Sequence, residues 1–426
     1  MKIIIVGGGG REHALAWKLA QSPGADDIVC APGNAGTAAL GRNVPVAAED
    51  IEGIAALAKK KGAGLVVVGP EAPLAMGLAD RLESEGVPVF GPSRAAARLE
   101  ASKAFSKELM EEAKIATADF GVFNDAAEAK RFVSDRGGAW AVKADGLAAG
   151  KGVITTADVN DAQAAITEVM EKRAFGEAGA WCVVEEFLEG EEASLLAFVD
   201  GRTARLMPSA QDHKRIGEGD TGPNTGGMGA YSPAPVMTPE LETRALAEVI
   251  QPAVDAMARR GTPYKGILYA GLMIKEGEFK VIEFNCRFGD PECQPLLMRM
   301  DSDLLPVLQA CASGTLPEVD ISFSRDPAAC VVMAAGGYPG DYRKGDIIVG
   351  LDEANAVEGA QVFHAGTKPG GGGETLTSGG RVLGVTARGP DIKTALERAY
   401  RAAGLIHWDD AYYRKDIGAK ALRRLS

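Results

Sequence analysis

Glu283 and Asn285 stand two apart in the stretch VIEFNCRFGDPE, Val281 to Glu292, where polar chemistry is most concentrated along the chain. If VIEFN is a strand, residues two apart point to the same face. A carboxylate and an amide oxygen side by side are hard ligands suited to magnesium, which keeps several waters and completes its shell with phosphate oxygens. Arg287, Asp290 and Glu292 follow at once, in a turn containing Gly289 and Pro291. Charges this dense, directly after the apolar Val281 and Ile282, do not read as ordinary solvated surface; the competing reading is a structural ion-pair cluster.

Glycine-rich loops recur elsewhere. Gly7-Gly8-Gly9-Gly10-Arg11 follows an apolar run and opens a helical pattern, so its N–H groups could cradle a phosphate beside Arg11, or simply turn tightly. A dinucleotide fingerprint fails there, because Glu12 stands at its last glycine. Pro32-Gly33-Asn34 and Gly69-Pro70-Glu71 each follow another apolar run. Ligands gather at the carboxyl ends of parallel strands, which would bring these loops round one pocket; taken singly, each reads as turn chemistry. Gly146 to Gly152 carries Lys151 but has neither the spacing nor the Ser or Thr of a P-loop. With a strand after it, this loop suits a flap over a triphosphate, Lys143 on the incoming strand being a second phosphate contact; a solvated hairpin is the alternative. Thr221 to Gly229, after Asp212 and Lys214, reads as a substrate loop or as a plain surface loop.

The elements that must position these groups change character along the chain. KIIIV (2–6), DIVCA (27–31), LVVVG (65–69) and VPVFG (87–91) read as buried parallel strands, alternating with helical patterns such as HALAWKLAQS, so a doubly wound α/β unit is expected. After a helix from Ser102 to about Lys114 the texture becomes α+β. AWAVKAD (139–145) and GVITTAD (152–158) flank the Lys151 loop, and WCVVEEFLEG (181–190) is a further strand and its exit. EASLLAFVDG (192–201) with TARLMPSAQD (203–212), and GILYAGLMIK (266–275) with EFKVIEFN (278–285), read as hairpins. From about Ala328 strands return, with one helix in DIKTALERAYRAAGL.

Composition narrows the function. At 426 residues, with 46% hydrophobic and 24% charged, the chain suits about three packed domains. A net charge of −12 argues against general nucleic-acid binding, which needs clustered Lys and Arg. No apolar run approaches the ~18 residues of a membrane helix, and the short run after Met1 lacks the shape of a secretory signal, so a cytoplasmic protein with no membrane partner is expected. The six cysteines and four histidines are dispersed without zinc-site spacing.

The stretches GGREHALAWKLAQSP, APGNAGT, VGPEAPL, SKAF, VKADGLAAGKGV, EEFLEGEEAS, QDHKR, TGPNTGGMGAYSPAP, YAGLM, VIEFNCRFGDPE, AAGGYPGDYRKGD, FHAGTK, GGRVLGVTA and IHWDDAYYRKDIG run in order from end to end. On them the chain resembles the phosphoribosylamine–glycine ligase family of the ATP-grasp superfamily, in its bacterial-type monofunctional form. The resemblance implies an α/β and α+β multidomain fold. Its parts are an N-terminal doubly wound parallel sheet (1–101), an ATP-grasp core (102–325) with a mobile lid at about 122–190, and a small C-terminal α/β domain (326–426). It implies ligation of glycine to 5-phosphoribosylamine, giving glycinamide ribonucleotide, ADP and phosphate through glycyl phosphate, by a monomer or weak homodimer.

Residue by residue, the resemblance puts Lys103 and Lys143 on the ATP phosphates, with Lys151 above them. Glu185, Glu186 and Leu188 would hold adenine, and Glu192 the ribose. Glu283 and Asn285 would hold Mg²⁺ or Mn²⁺. Arg287, Asp290, Asp212, Lys214 and the backbone of Thr225, Gly226 and Gly227 would surround glycine and the amine. Gly9, Gly10, Arg11, Gly33, Asn34, Pro70 and Glu71 would complete the cleft. Many ATP-grasp enzymes carry a further acidic ligand on the strand before Glu283; Tyr269 to Ile274 offers none, so the number of metal ions stays open.

Overall fold

A computed structural model describes residues 1–147 and 152–425. The first apolar runs form β1 (Lys2–Gly7), β2 (Asp27–Pro32), β3 (Arg42–Asn43), β4 (Leu65–Val68) and β5 (Val89–Phe90), all parallel, in the order β3-β2-β1-β4-β5. Helices cover both faces, which is why these strands are apolar throughout rather than alternating. The order reverses between β1 and β4, so a crevice opens beyond their carboxyl ends, where helix α1 (Gly10–Leu19) begins. Strand β3 was invisible to apolar patterning because it is only Arg42-Asn43. Two further helices, α2 (Arg94–Ala101) and α3 (Lys103–Glu112), meet at Ser102, whose hydroxyl accepts from the Phe105 N–H at 3.1 Å and so caps α3.

Beyond them, β6 (Phe120–Phe123), β7 (Trp140–Ala144), β8 (Val153–Thr155) and β9 (Cys182–Glu186) form an antiparallel sheet ordered β6-β9-β7-β8. This sheet buries Trp140, Val142 and Val184 against Val133 and Ile166 in a core of its own. Then come β10 (Glu191–Asp200), β11 (Ala204–Leu206), β12 (Gln211–Asp212), β13 (Arg215–Gly217), β14 (Thr221–Asn224), β15 (Gly229–Ser232), β16 (Lys265–Lys275) and β17 (Glu278–Asn285). Strands β11-β10-β16-β17 make the central antiparallel sheet. The β16–β17 hairpin turns at Glu276 and Gly277, both at positive φ, as a two-residue loop requires. The β10–β11 hairpin is shorter than the 203–212 pattern predicts. It stops at Leu206, and Gln211-Asp212 joins another sheet, because Pro208 has no N–H to continue the ladder.

The last strands are β18 (Ala328–Ala334), β19 (Ile347–Ile348), β20 (Ala360–His364), β21 (Thr367–Pro369), β22 (Thr375–Thr377) and β23 (Arg381–Arg388). The antiparallel sheet β12-β15-β18-β23-β20 joins residues 211–232 to the C-terminal segment, across the boundary expected near residue 325. Among the described residues no helix is long and apolar enough to cross a membrane.

Buried histidines knit the N-terminal and C-terminal parts together. The His13 ring on α1 lies edge-on to Phe363, and its Nδ1 accepts from the His364 N–H at 2.7 Å. Burial lowers the pKa of His13 to about 3 and those of His213 and His364 to about 4. Each is neutral when folded, so its stabilisation is full above the ordinary value of 6.5 and is lost as pH falls towards the folded value. Asp212, whose pKa burial raises, acts with the opposite sign. The clean measurement is therefore differential. The stability deficit of His13→Gln against the native protein should shrink by about 2 kcal/mol between about pH 7 and pH 5 in urea titrations.

Candidate active site

Strand β17 delivers the metal-type residues through a β-bulge. Gly271 faces Glu283 while Leu272 faces Val281, so Ile282 is an extra residue on β17. The bulge resets the alternation: Phe279, Val281 and Phe284 go into the core, and Glu283 and Asn285 share the open face. Burial alone would raise the Glu283 pKa, but Lys214, Lys143 and Lys103 hold it below the ordinary carboxylate range. Lys214 lies 3.8 Å from Glu283 and 2.8 Å from Glu192. Burial works against its charge, yet those two carboxylates hold its pKa well above the usual lysine value. Among the described residues no group of three or more His, Cys, Asp or Glu is gathered for a metal. Opposite Glu283 stands Gly271, which adds no side chain to that face.

The turn after β17 is clamped by arginines. Arg287 forks between Glu100 Oε1 at 2.8 Å and Glu71 Oε2 at 3.2 Å, and Glu100 Oε2 accepts from the Cys286 N–H at 2.7 Å. Asp290 accepts from the Arg11 N–H at 3.3 Å and from Gln294 Nε2 at 3.0 Å. Arg381, at the start of β23, lies 3.5 Å from Asp290 Oδ2 and donates to the Asp290 carbonyl at 2.5 Å. It donates also to the Gly226 carbonyl and, at 3.4 Å, to that of Gly227. Against the cost of burial, Arg381 and Arg11 hold the Asp290 pKa low.

Gly227 has φ +110, and a Cβ there would lie 2.7 Å from Asp212 Oδ1, so only glycine lets the 225–227 loop come this close. The Thr225 hydroxyl steadies that loop by accepting from the Gly227 N–H at 2.9 Å and donating to the Lys214 carbonyl at 2.9 Å. Asp212 is half-buried beneath it, and its pKa is raised by desolvation and by the nearby Glu292. Glu292 in turn accepts from Ser194 and Tyr269, each at 3.0 Å.

The nucleotide-type residues face the same opening from the other side. Lys103 donates to the Gly146 carbonyl at 3.1 Å, and burial lowers its pKa although Glu283 opposes the shift. Lys143 lies 2.7 Å from Glu185 Oε1. Glu185 itself is only 2% exposed and is also held by Lys107, whereas Glu186 pairs outward with Lys280 and Leu188 is half-buried. Lys151 lies outside the described residues.

Around the N-terminal crevice, Glu12 occupies the centre of the glycine loop. It accepts from the Gly9 N–H at 2.5 Å and from Arg11 Nε at 2.6 Å. Arg11 is further committed to the Phe288 carbonyl at 3.0 Å, so its charge is held within the protein. Asn34 caps the helix that follows Gly33 and donates to the carbonyls of Gly8 and His364. A cavity of about 420 Å³ remains, lined by Gly7–Gly9, Arg11, Pro32, Pro70, Asp290 and Arg381. Gly10 and Glu71 flank it as the first residues of the helices after β1 and β4. Lys107, Glu100 and Arg381 are the residues that sequence reasoning passed over. Each sits in a segment of ordinary helix or strand pattern, and only the fold brings it to the cleft.

Family models agree with the geometry. The chain matches those described as phosphoribosylglycinamide synthetase N domain over 1–100, ATP-grasp (A) domain over 101–293 and C domain over 328–420. It is 52% identical to a phosphoribosylamine–glycine ligase of Vibrio vulnificus, over 100% of this chain and 99% of that one. The crystal structure of phosphoribosylamine–glycine ligase from Thermotoga maritima is similar at a TM-score of 0.85 and 30% identity, covering 98% of this chain and 100% of that one. A biotin carboxylase domain from Hydrogenobacter thermophilus, in complex with MgADP and bicarbonate, shares the fold at a TM-score of 0.73 and 18% identity, covering 96% and 91%.

The Arg287 fork has a measurable consequence. Arg287→Met leaves Glu100 buried without its cation, and should cost about 3 kcal/mol in urea unfolding near neutral pH. Burial already raises the Glu100 pKa, so the carboxyl takes up a proton more readily as the medium is acidified. The deficit should therefore shrink towards about pH 5.

Proposed function

The chain belongs to the phosphoribosylglycinamide synthetase family, and from that premise we propose how its cleft performs the family's reaction. The protein is a carbon–nitrogen ligase that joins glycine to 5-phosphoribosylamine, using ATP, in purine biosynthesis. The observation that carries the residue assignment is Glu283, held ionised by Lys214, Lys143 and Lys103, beside Asn285 on the open face of β17. On this reading Lys103 and Lys143 bind the ATP phosphates, joined by Lys151. The exit of β9 at Glu185, Glu186 and Leu188 takes the adenine, and Glu192 the ribose.

Glu283 and Asn285 hold a divalent cation, Mg²⁺ or Mn²⁺. The fit is supported by a carboxylate kept charged, an amide oxygen on the same face, and the side-chain-free Gly271 opposite. When bound, such an ion neutralises charge on the transferring phosphoryl group.

A carboxylate is a poor electrophile, so glycine must first be activated. An oxygen of its carboxylate attacks the γ-phosphorus of ATP, the bond to the ADP oxygen breaks, and glycyl phosphate forms. The amine of 5-phosphoribosylamine then attacks the carbonyl carbon, phosphate leaves, and the nitrogen gives up a proton. Asp212, whose raised pKa suits it to proton transfer, is the group we assign to that proton. Lys214 and the 225–227 backbone orient glycine. Arg287 and Asp290 hold the turn between it and the N-terminal crevice, where Gly9, Gly10, Arg11, Gly33, Asn34, Pro70 and Glu71 surround the phosphoribosyl group. Positioning and charge balance supply the catalysis, with no covalent nucleophile from the protein. The sheet β6-β9-β7-β8 acts as a lid that keeps water from the acyl phosphate. We place this chemistry in the cytoplasm, as the family resemblance supports.

ADP release should require glycine and 5-phosphoribosylamine together. Glu283→Ala should lower kcat at least about 100-fold with a native circular dichroism spectrum. Lys143→Met should raise the KM for MgATP by about tenfold or more. Normal turnover by Glu283→Ala would sink the metal assignment, and equal turnover with formate in place of glycine would sink the assigned substrate.

A further inference from the structure

A buried lysine is rare, because taking an ammonium out of water is costly unless it is paired and hydrogen-bonded. Lys107, on α3, is 2% exposed. Its Nζ donates to Glu185 Oε2 at 2.9 Å and to Thr117 Oγ1 at 2.6 Å. The Thr117 hydroxyl passes the link on, donating to the Val281 carbonyl at 2.6 Å. A polar chain thus runs from β9, through α3, to the strand that carries Glu283.

The other oxygen of Glu185 is bound differently. Oε1 is buried, with Lys143 Nζ 2.7 Å away as its ion-pair partner. Lys143 also donates to the Ile282 carbonyl, at 3.3 Å, on the bulge of β17. Glu185 is therefore shared between two lysines, hydrogen-bonded to Lys107 through one oxygen and ion-paired with Lys143 through the other. One carboxylate facing two ammoniums neutralises one of them.

We propose that Lys107 is a positioning residue: by saturating Glu185 it leaves the charge of Lys143 available to a nucleotide phosphate, and through Thr117 it ties β9 to the Glu283 strand. The proposal rests on the reading of Lys143 as a phosphate contact. Without Lys107, Lys143 is the last close counterion of a buried carboxylate, and its charge is cancelled by that one pair. Lys107 does not touch the substrate; it acts through Glu185 and Lys143.

The charged and polar groups facing Lys107 are Glu185 and Glu186 on β9, Lys143 on β7 and Thr117, with the Phe120 ring of β6 at 5.5 Å. Burial lowers the Lys107 pKa to about 8, against the pull of Glu185. The ammonium is present below that value and lost above it, so the KM of the native enzyme for MgATP should rise in mildly alkaline solution.

The test is steady-state kinetics of Lys107→Met across neutral to alkaline pH, with glycine saturating and 5-phosphoribosylamine generated in the assay. The KM for MgATP should rise about 10- to 100-fold at neutral pH, as is usual when a partner that orients a ligating group is lost. Its alkaline rise should disappear, and the KM for glycine should stay native. If Lys107→Met does not fold, Thr117→Val keeps every charge, and a several-fold rise in the KM for MgATP is expected there. A lowered thermal midpoint with native KM for MgATP and a native pH profile would make Lys107 purely structural and overturn the proposal, provided Lys143→Met does raise that KM. A native KM for MgATP in Lys143→Met would instead overturn the nucleotide reading, and the proposal with it.

Discussion

Arg287 stands where the parts of the molecule meet, and its fork onto Glu71 and Glu100 is the contact on which the cleft depends. Glu71 begins the helix after β4, Glu100 lies near the end of α2, and Arg287 follows the metal-type strand. One guanidinium therefore fixes the N-terminal sheet, the helix leading to Lys103 and the end of β17 in a single arrangement. Its planar fork suits two carboxylates in a way that a lysine would not. Burial works against its charge, yet Glu100 and Glu71 more than restore it, so the guanidinium keeps its charge in the folded protein.

Charge balance around this clamp explains how so many ionisable groups share one buried region. Glu283 faces Lys214, Lys143 and Lys103; Asp290 faces Arg381 and Arg11; Glu185 faces Lys107 and Lys143. Leaving the nearly buried Glu185 or Asp290 without its partners would cost several kcal/mol, whereas solvent screens the part-exposed Glu283. Asp212 is the exception, because Glu292 and burial push it towards the protonated form while Lys214 and Arg381 only partly compensate.

The C-terminal segment belongs to this arrangement rather than standing apart from it. Strands β12 and β15, which bracket the 225–227 loop, hydrogen-bond into the sheet built on β18 and β23. From β23, Arg381 reaches that loop and Asp290 together. The histidine contacts between α1 and β20 close the other side. Movement of the C-terminal segment would thus be felt at both the loop and the N-terminal crevice.

Sequence alone determined a good deal here, because local patterns are read locally. Apolar runs declared β1, β2, β4 and β5; Glu276-Gly277 declared the hairpin turn; and the density of charge after Ile282 marked the candidate site. The ordered motifs carried the family. What only the tertiary structure decided were contacts between residues far apart in the chain, where no local pattern exists to read. The bulge at Ile282, which sets the face of Glu283, depends on pairing with β16. Arg11 stands in sequence as a lone positive charge beside glycines, and the fold sets it against Glu12 and the Phe288 carbonyl at the edge of the cavity. Lys107 looked like one lysine on an amphipathic helix, and Arg381 like the polar start of a strand; each acquired its partners only on folding. A charged residue alone in sequence has no sign of attraction or cost, and the fold supplies both by choosing its neighbours.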